Sequence, residues 1–278
     1  MRQEPKSVFF IVIAALLWST GGLLIKYIPL SSMALSAIRS LIGLIVIVAF
    51  NFRTKLVINK TVLLSAFCLA YTLTGFVIAN RYTSAASAII LQYCSPICIA
   101  LYSFFLYKKK PSKHELIALS GAFIGILLFF FGKFSGSSLF GNILALSTGF
   151  AFGGMFFINN KKDCDTYSAL VIGQAITVLI GIPFLWGEDF SLSPTSIFSI
   201  LFIGIFQVGV AYVCFAKGIK HVSPLKANII CMIEPIISPM WVFIFLGETL
   251  TINAMIGSVV VIGSVIYLNI SKVAERSS

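Results

Sequence analysis

Ten apolar runs, each about the length of a bilayer-spanning helix, follow one another through the chain with only short gaps between them: residues 7–28, 33–51, 61–80, 84–106, 115–132, 139–160, 167–186, 195–215, 222–246 and 251–270. About 20 mostly apolar residues cross the roughly 30 Å of hydrocarbon in a membrane, and a helix satisfies its own backbone there. The runs leave no stretch for a soluble domain. The chain is therefore expected to be an all-α integral membrane protein with ten transmembrane helices. Its 59% hydrophobic and 10% charged residues agree, since soluble domains carry roughly a quarter charged residues and need that polar surface. The first run is too long for a signal peptide, lacks a small-x-small cleavage site and is followed by similar runs, so it is read as an uncleaved helix.

The net charge of +11 raises nucleic acid as a partner. The basic residues instead sit in short gaps between runs, without the aromatic interleaving that binds single strands. With the N-terminus inside, the inner segments hold Arg2, Lys6, Arg53, Lys55, Lys60, Lys108–Lys110, Lys113, Lys161, Lys162, Lys217, Lys220, Lys272 and Arg276, whereas the outer gaps hold only Arg81 and Lys133. Basic loops stay in the cytoplasm, so both termini are expected on the cytoplasmic face of the cell membrane.

An internal repeat organises the runs. YTSAASAIILQYCSPICIALYSFFLYKKKP (82–111) aligns with HVSPLKANIICMIEPIISPMWVFIFLGETL (221–250), pairing Pro96 with Pro235, Ser84 with Ser223, Ala88 with Ala227 and Ile97 with Ile236. The copies are an odd number of helices apart, so they insert upside down relative to one another, the arrangement of inverted-repeat transporters. The expected halves are residues 1–134 and 135–278, five helices each.

One acid interrupts the ninth run. Glu234 precedes Pro235, about 18 Å along its helix by helical rise and so near mid-membrane. A charged acid there costs on the order of 2.5–3.5 kcal/mol; it needs a wet cavity, a partner or a proton. Pro235 lacks an N–H and frees a carbonyl one turn back, near Cys231. Exposed backbone survives at that depth only where protein buries it or a cavity wets it. Pro96 repeats the feature, so the fourth and ninth helices are predicted to be interrupted and to flank a substrate path. A structural role, as a protonated bolt between helices, is the competing reading of Glu234.

Other polar groups at membrane depth extend the candidate site. Gln92 lies one turn before Pro96 and shares its face. Gln207 and Tyr212 in the eighth run, Asn228 in the ninth and Gln174 in the seventh fit either substrate contacts or interhelical bonds. Lys26 is near enough to the outer interface to snorkel. Arg39 lies roughly 10 Å deep, where a substrate carboxylate, another anion or backbone carbonyls would account for it. Trp18, mid-run, suits a cavity wall or simple packing. Gly121 with Gly125, and Gly149 with Gly153, permit close helix crossings within one chain.

These segments resemble the EamA family of the drug/metabolite transporter superfamily. The likeness is carried by LLWSTGGLLIKY (16–27), Arg39, YTSAASAIILQYCSP (82–96), HVSPLKANIICMIEP (221–235) and LGETLTINAMIGSVVVIGSVIYL (246–268), above all by Glu248 with Gly257 nine residues on. It implies two five-helix halves around a central cavity, and export of amino acids or other small metabolites. The first half departs from the pattern in carrying Lys108-Lys-Lys where leucine-glycine-glutamate is usual. The sixth run has Phe150 or Phe152 near the place of the usual tryptophan.

The expected activity is secondary transport by alternating access, with a small-molecule substrate, a lipid bilayer and protons as partners. Organic cations or drugs, and uptake or exchange, are alternatives. No Walker loop occurs, so no ATP engine is expected. A membrane-embedded enzyme would need clustered His, Asp or Glu, which the loops lack, so no catalytic residue, metal or cofactor is expected. The six cysteines form no CxxC and five lie inside apolar runs, where free cysteine packs as a small hydrophobe.

Overall fold

A computed structural model describes residues 4–51, 54–83, 85–108, 110–129, 139–246 and 252–277. All regular structure among them is helical: α1 (Glu4–Trp18), α2 (Gly21–Leu24), α3 (Ser32–Phe50), α4 (Lys60–Tyr82), α5 (Ala85–Gln92), α6 (Ser95–Tyr107), α7 (Lys113–Phe129), α8 (Leu139–Asn159), α9 (Thr166–Gly181), α10 (Pro194–Phe202), α11 (Ala211–Ile219), α12 (Pro224–Cys231), α13 (Glu234–Leu246) and α14 (Ile252–Ser277). A π-helical stretch, Ile203–Val210, joins α10 to α11.

Six continuous stretches among the described residues are long and apolar enough to cross a membrane: Glu4–Leu24, Ser32–Phe50, Lys60–Tyr82, Leu139–Asn159, Thr166–Leu185 and Pro194–Ile219. The ends follow local chemistry. Ser31, Asn59, Asp165 and Ser193 each accept a backbone N–H of the first turn they precede, as good N-caps do. Pro194 and Pro224 open α10 and α12, where a missing N–H costs nothing. Arg2, Lys133, Glu248 and the Gly247–Thr249 loop lie outside the described residues.

Three runs depart from single straight helices. The first breaks after Trp18: the hydroxyls of Ser19 and Thr20 bond back to the carbonyls of Leu16 and Leu17, and Gly21-Gly22 follows, a pairing of causes that kinks helices. The fourth breaks at Tyr93-Cys94, between α5 and α6, and the ninth at Met232-Ile233, between α12 and α13.

Packing repeats in a simple pattern. α4 lies along α8 and α9, while the π-helical stretch and α11 lie along α3 and α1. α3 also pairs with α9, and α7 with α14. At the two breaks α12 meets α6 and α13 meets α5, so the first half of each broken helix touches the second half of the other. The main core cluster gathers Trp18, Tyr93, Phe152, Phe156, Tyr212 and Phe215 around this crossing, with Trp18 5.9 Å from Phe152 and 5.1 Å from Tyr212. Apolar side chains such as Phe9, Ile45, Phe67, Phe105 and Ile143 point outward, where a bilayer would cover them.

Candidate functional site

The polar residues of the apolar runs converge beside the crossing of the broken helices. A partly open cavity lies there, with about 410 Å³ of space between its atoms when the open solvent at its mouth is included, and its walls are Trp18, Arg39, Thr72, Leu73, Phe76, Gln92, Phe152, Gln207, Tyr212 and Glu234. Six side chains expected to form the site thus come together: Trp18 from the end of α1, Arg39 from α3, Gln92 from the end of α5, Gln207 from the π-helical stretch, Tyr212 from α11 and Glu234 from the start of α13. Isolated polar groups in apolar helices need a shared wet or hydrogen-bonded space, because each costs several kcal/mol alone in hydrocarbon.

Glu234 is 8% exposed. Its Oε2 lies 2.7 Å from the Tyr93 hydroxyl, which is also 2.7 Å from the Cys231 carbonyl. That carbonyl is the one released by Pro235, since residue 235 has no N–H to offer it. Tyr93 is itself buried, its ring set edge-on to Phe152 at 6.0 Å.

Arg39 stands in the same cavity and is only 2% exposed. Its Nη2 donates to the Leu73 carbonyl at 2.8 Å, and its Nε–H has no partner among the described residues. It forms no ion pair among them; the pair found there joins Lys226 to Glu4 at 3.2 Å, between the starts of α12 and α1. Two further buried polar atoms of the wall, Trp18 Nε1 and Gln207 Oε1, also lack partners among the described residues. The wall thus offers two free N–H donors, one of them on a cation, one free acceptor, and a carboxyl group.

Gln92 is partly committed, its Oε1 lying 3.2 Å from the Thr148 hydroxyl, whose one hydrogen is shared with the Ala145 carbonyl at 2.6 Å. Close packing by α8 explains how: a Cβ at Gly149 would lie 2.5 Å from Cys94 Sγ and 2.8 Å from the Gln92 carbonyl, and one at Gly153 would lie 2.8 Å from the Ser95 carbonyl. Only glycine admits that approach. The π-helical stretch turns Gln207 toward the gap in the first run, where a Cβ on Gly21 would meet its amide at 2.6 Å. Such stretches are frequent at functional sites.

One expected site residue lies elsewhere. Asn228 does not line the cavity; it is fully buried and accepts from the Ser95 hydroxyl at 2.8 Å, tying α12 to α6. The side chain of Lys26 lies outside the described residues. Gln174 is buried in α9 with neither amide atom partnered among the described residues, apart from the cavity wall. Four wall residues, Thr72, Leu73, Phe76 and Phe152, and the adjacent Tyr93 were not expected to form the site. Tyr93 is one of many aromatic residues in apolar runs, and its only signal is its place three residues before Pro96. Thr72 bonds back to the Cys68 carbonyl, as any mid-helix threonine can, and Phe76 carries no signal at all.

Comparison with known proteins places this architecture. The model of the EamA-like transporter family matches twice, over residues 5–131 and 139–270. An uncharacterized inner membrane transporter of Salmonella typhimurium, YicL, is 25% identical, the match covering 97% of each chain. An uncharacterized transporter of Bacillus subtilis, YwfM, is 29% identical over 89% of this chain and 88% of its own. A solved crystal structure superposes with a TM-score of 0.82 at 17% identity, covering 99% of both chains, which shows a shared fold.

Proposed function

The chain belongs to the EamA-like transporter family, and from that premise we propose that it exports small polar metabolites such as amino acids by alternating access around the Arg39–Glu234 cavity. That it is a multi-pass membrane transporter follows from the family, the transporter relatives and the apolar helices. The observation that carries the finer reading is the wall itself: a buried guanidinium with a free N–H and a buried carboxyl face one space, and neither is paired with an opposite charge among the described residues. Buried charges are costly unless matched; a substrate carboxylate matches Arg39, and its ammonium matches Glu234 once that acid has given up its proton. Glu234 is also the group through which protons would couple to transport.

The reading includes ten spans in two inverted five-helix halves, residues 1–134 and 135–278, with both termini cytoplasmic. Three observations support it. The family model matches the chain twice with a short interval between. The packing of α4 on α8 and α9 recurs as the packing of the π-helical stretch and α11 on α1 and α3. The broken helices meet first half to second half, as antiparallel copies do.

Transport of an organic cation is the second reading. Trp18, Tyr212 and Phe152 beside Glu234 form the aromatic, acidic wall a cation prefers.

Thermal unfolding of the purified protein against amino acids, simple amines, purines and sugar phosphates separates the two. A ligand at 100 times its Kd stabilises the folded state by about 2.7 kcal/mol. The amino-acid reading expects a zwitterion to raise Tm and Arg39→Met to abolish the shift. A shift with amines alone, unaffected by Arg39→Met, favours the cation reading.

A further inference from the structure

We infer that Glu234 carries a proton in this conformation, that it donates this proton to Tyr93, and that Tyr93 is a positioning residue tying the charge on Glu234 to the crossing of the two broken helices. The argument is a count of hydrogens. The Tyr93 hydroxyl has one, yet its oxygen lies 2.7 Å from two acceptors, the Cys231 carbonyl and Glu234 Oε2. A carbonyl has no proton to give, and Pro235 has removed the N–H that a regular helix would direct at the Cys231 carbonyl. Leaving a buried carbonyl unpaired costs the full loss of its solvation, so the phenol proton goes to Cys231. The second contact then places two oxygens at hydrogen-bond distance, and a proton on the carboxyl is what makes it attractive.

The surroundings agree. From the elements packed near Glu234, the titratable or charged groups facing it are Tyr93 at the α5–α6 break, Tyr212 on α11, Cys231 on α12 and, across the cavity, Arg39 on α3. α1 and α2 bring Trp18 and glycines. α7 carries Lys113, His114 and Glu115 in its first turn, away from the cavity wall; His114 bonds Tyr267 and Glu115 bonds Ser112. Losing the proton turns Glu234 into a competitor for the Tyr93 hydrogen. If the carboxylate takes it, the Cys231 carbonyl is released and the bond joining the α5–α6 break to α12 is lost. One proton thus decides whether the Tyr93 hydrogen is held by the last carbonyl of α12 or by the carboxylate that opens α13. This consequence rests on the transport reading of the cavity; the proton's place does not.

Infrared difference spectroscopy of the purified full-length protein in lipid tests it. At neutral pH the wild type is expected to show a carboxylic-acid C=O band that disappears in Glu234→Gln. Tyr93→Phe keeps the ring against Phe152 and removes the hydroxyl, which is both the acceptor of the Glu234 proton and the donor to the Cys231 carbonyl, so the acid loses that bond and the band moves to higher frequency. Pro235→Ala returns an N–H to the Cys231 carbonyl and frees the Tyr93 proton for the carboxylate, so the acid band shrinks at the same pH. A cooperative unfolding transition in Tyr93→Phe, at a Tm somewhat below wild type because the Cys231 carbonyl has lost its donor, shows that folding is intact. No band assignable to Glu234 at neutral pH, or a band that Tyr93→Phe leaves unmoved, overturns the inference. These outcomes stand whether or not vesicles transport an amino acid, so failure of the transport reading is seen separately.

Discussion

The two broken helices carry the same proline and treat its consequence differently. At the α5–α6 break, before Pro96, the carbonyls of Leu91, Gln92 and Ser95 lie directly under Gly149 and Gly153 of α8. At the α12–α13 break, before Pro235, no glycine among the described residues lies against the carbonyl of Cys231; a phenol reaches it from the other break, with an acid beside that phenol. The first break is closed by shape and the second by hydrogen bonds. Shape is indifferent to pH and solute, whereas a carboxyl group is not. A pair of broken helices can therefore hold a rigid partner and a responsive one, and the contrast says which half of the site is expected to move.

Perturbing each break on its own terms sharpens that contrast. The largest effect is expected at the cavity: Arg39→Met removes the buried cation, and a carboxylate-bearing ligand should lose about 2–5 kcal/mol of affinity, the loss on truncating one side of a buried charge pair, read by titration calorimetry or the Tm shift. Next is Gly149→Val. The added side chain meets Cys94 and the Gln92 carbonyl, and overpacking of this kind costs typically about 1–3 kcal/mol, so Tm falls with or without ligand. A Gly149→Val protein as stable as wild type would break the claim that shape closes the first break. Smaller again is Ser95→Ala, which removes the hydroxyl bonded to Asn228 and costs about 1 kcal/mol of stability with ligand affinity unchanged.

The smallest effect is at the exposed loop before α9. The Thr61 hydroxyl holds the Asp163 carboxyl below its ordinary range. A depressed carboxyl contributes stability above its unfolded pKa and loses it as pH falls through the folded one. Thr61→Val is therefore expected to lower Tm slightly at neutral pH, and the difference from wild type closes on acidification, where the contribution is already lost.

Much of the site was legible in the sequence because a bilayer makes polarity conspicuous. Glu234, Arg39, Gln92, Gln207 and Tyr212 stood out from apolar neighbours, and the cost of burying each alone brings them to one cavity. Pro96 and Pro235 marked the breaks, and the freed carbonyl near Cys231 followed from the missing N–H. What the sequence hid was everything whose signal is apolar or geometric. Tyr93 looks like any lipid-facing aromatic residue until the crossing of two distant helices brings it to Glu234. The π-helical stretch that turns Gln207 inward has no pattern of its own, and the break after Trp18 depends on hydroxyls bonding back to their own helix. Asn228 was conspicuous for the same reason as Gln92, yet it is used to join helices: polarity at depth shows that a partner exists, and packing decides which.

Efflux from proteoliposomes loaded with a mixture of neutral amino acids, resolved by mass spectrometry, tests the central claim most directly. Wild type should release at least one zwitterion saturably, and Arg39→Met and Glu234→Gln, each folded by its Tm, should both reduce that release by at least about tenfold, roughly 1.4 kcal/mol. Release by both variants at the wild-type rate would contradict the account.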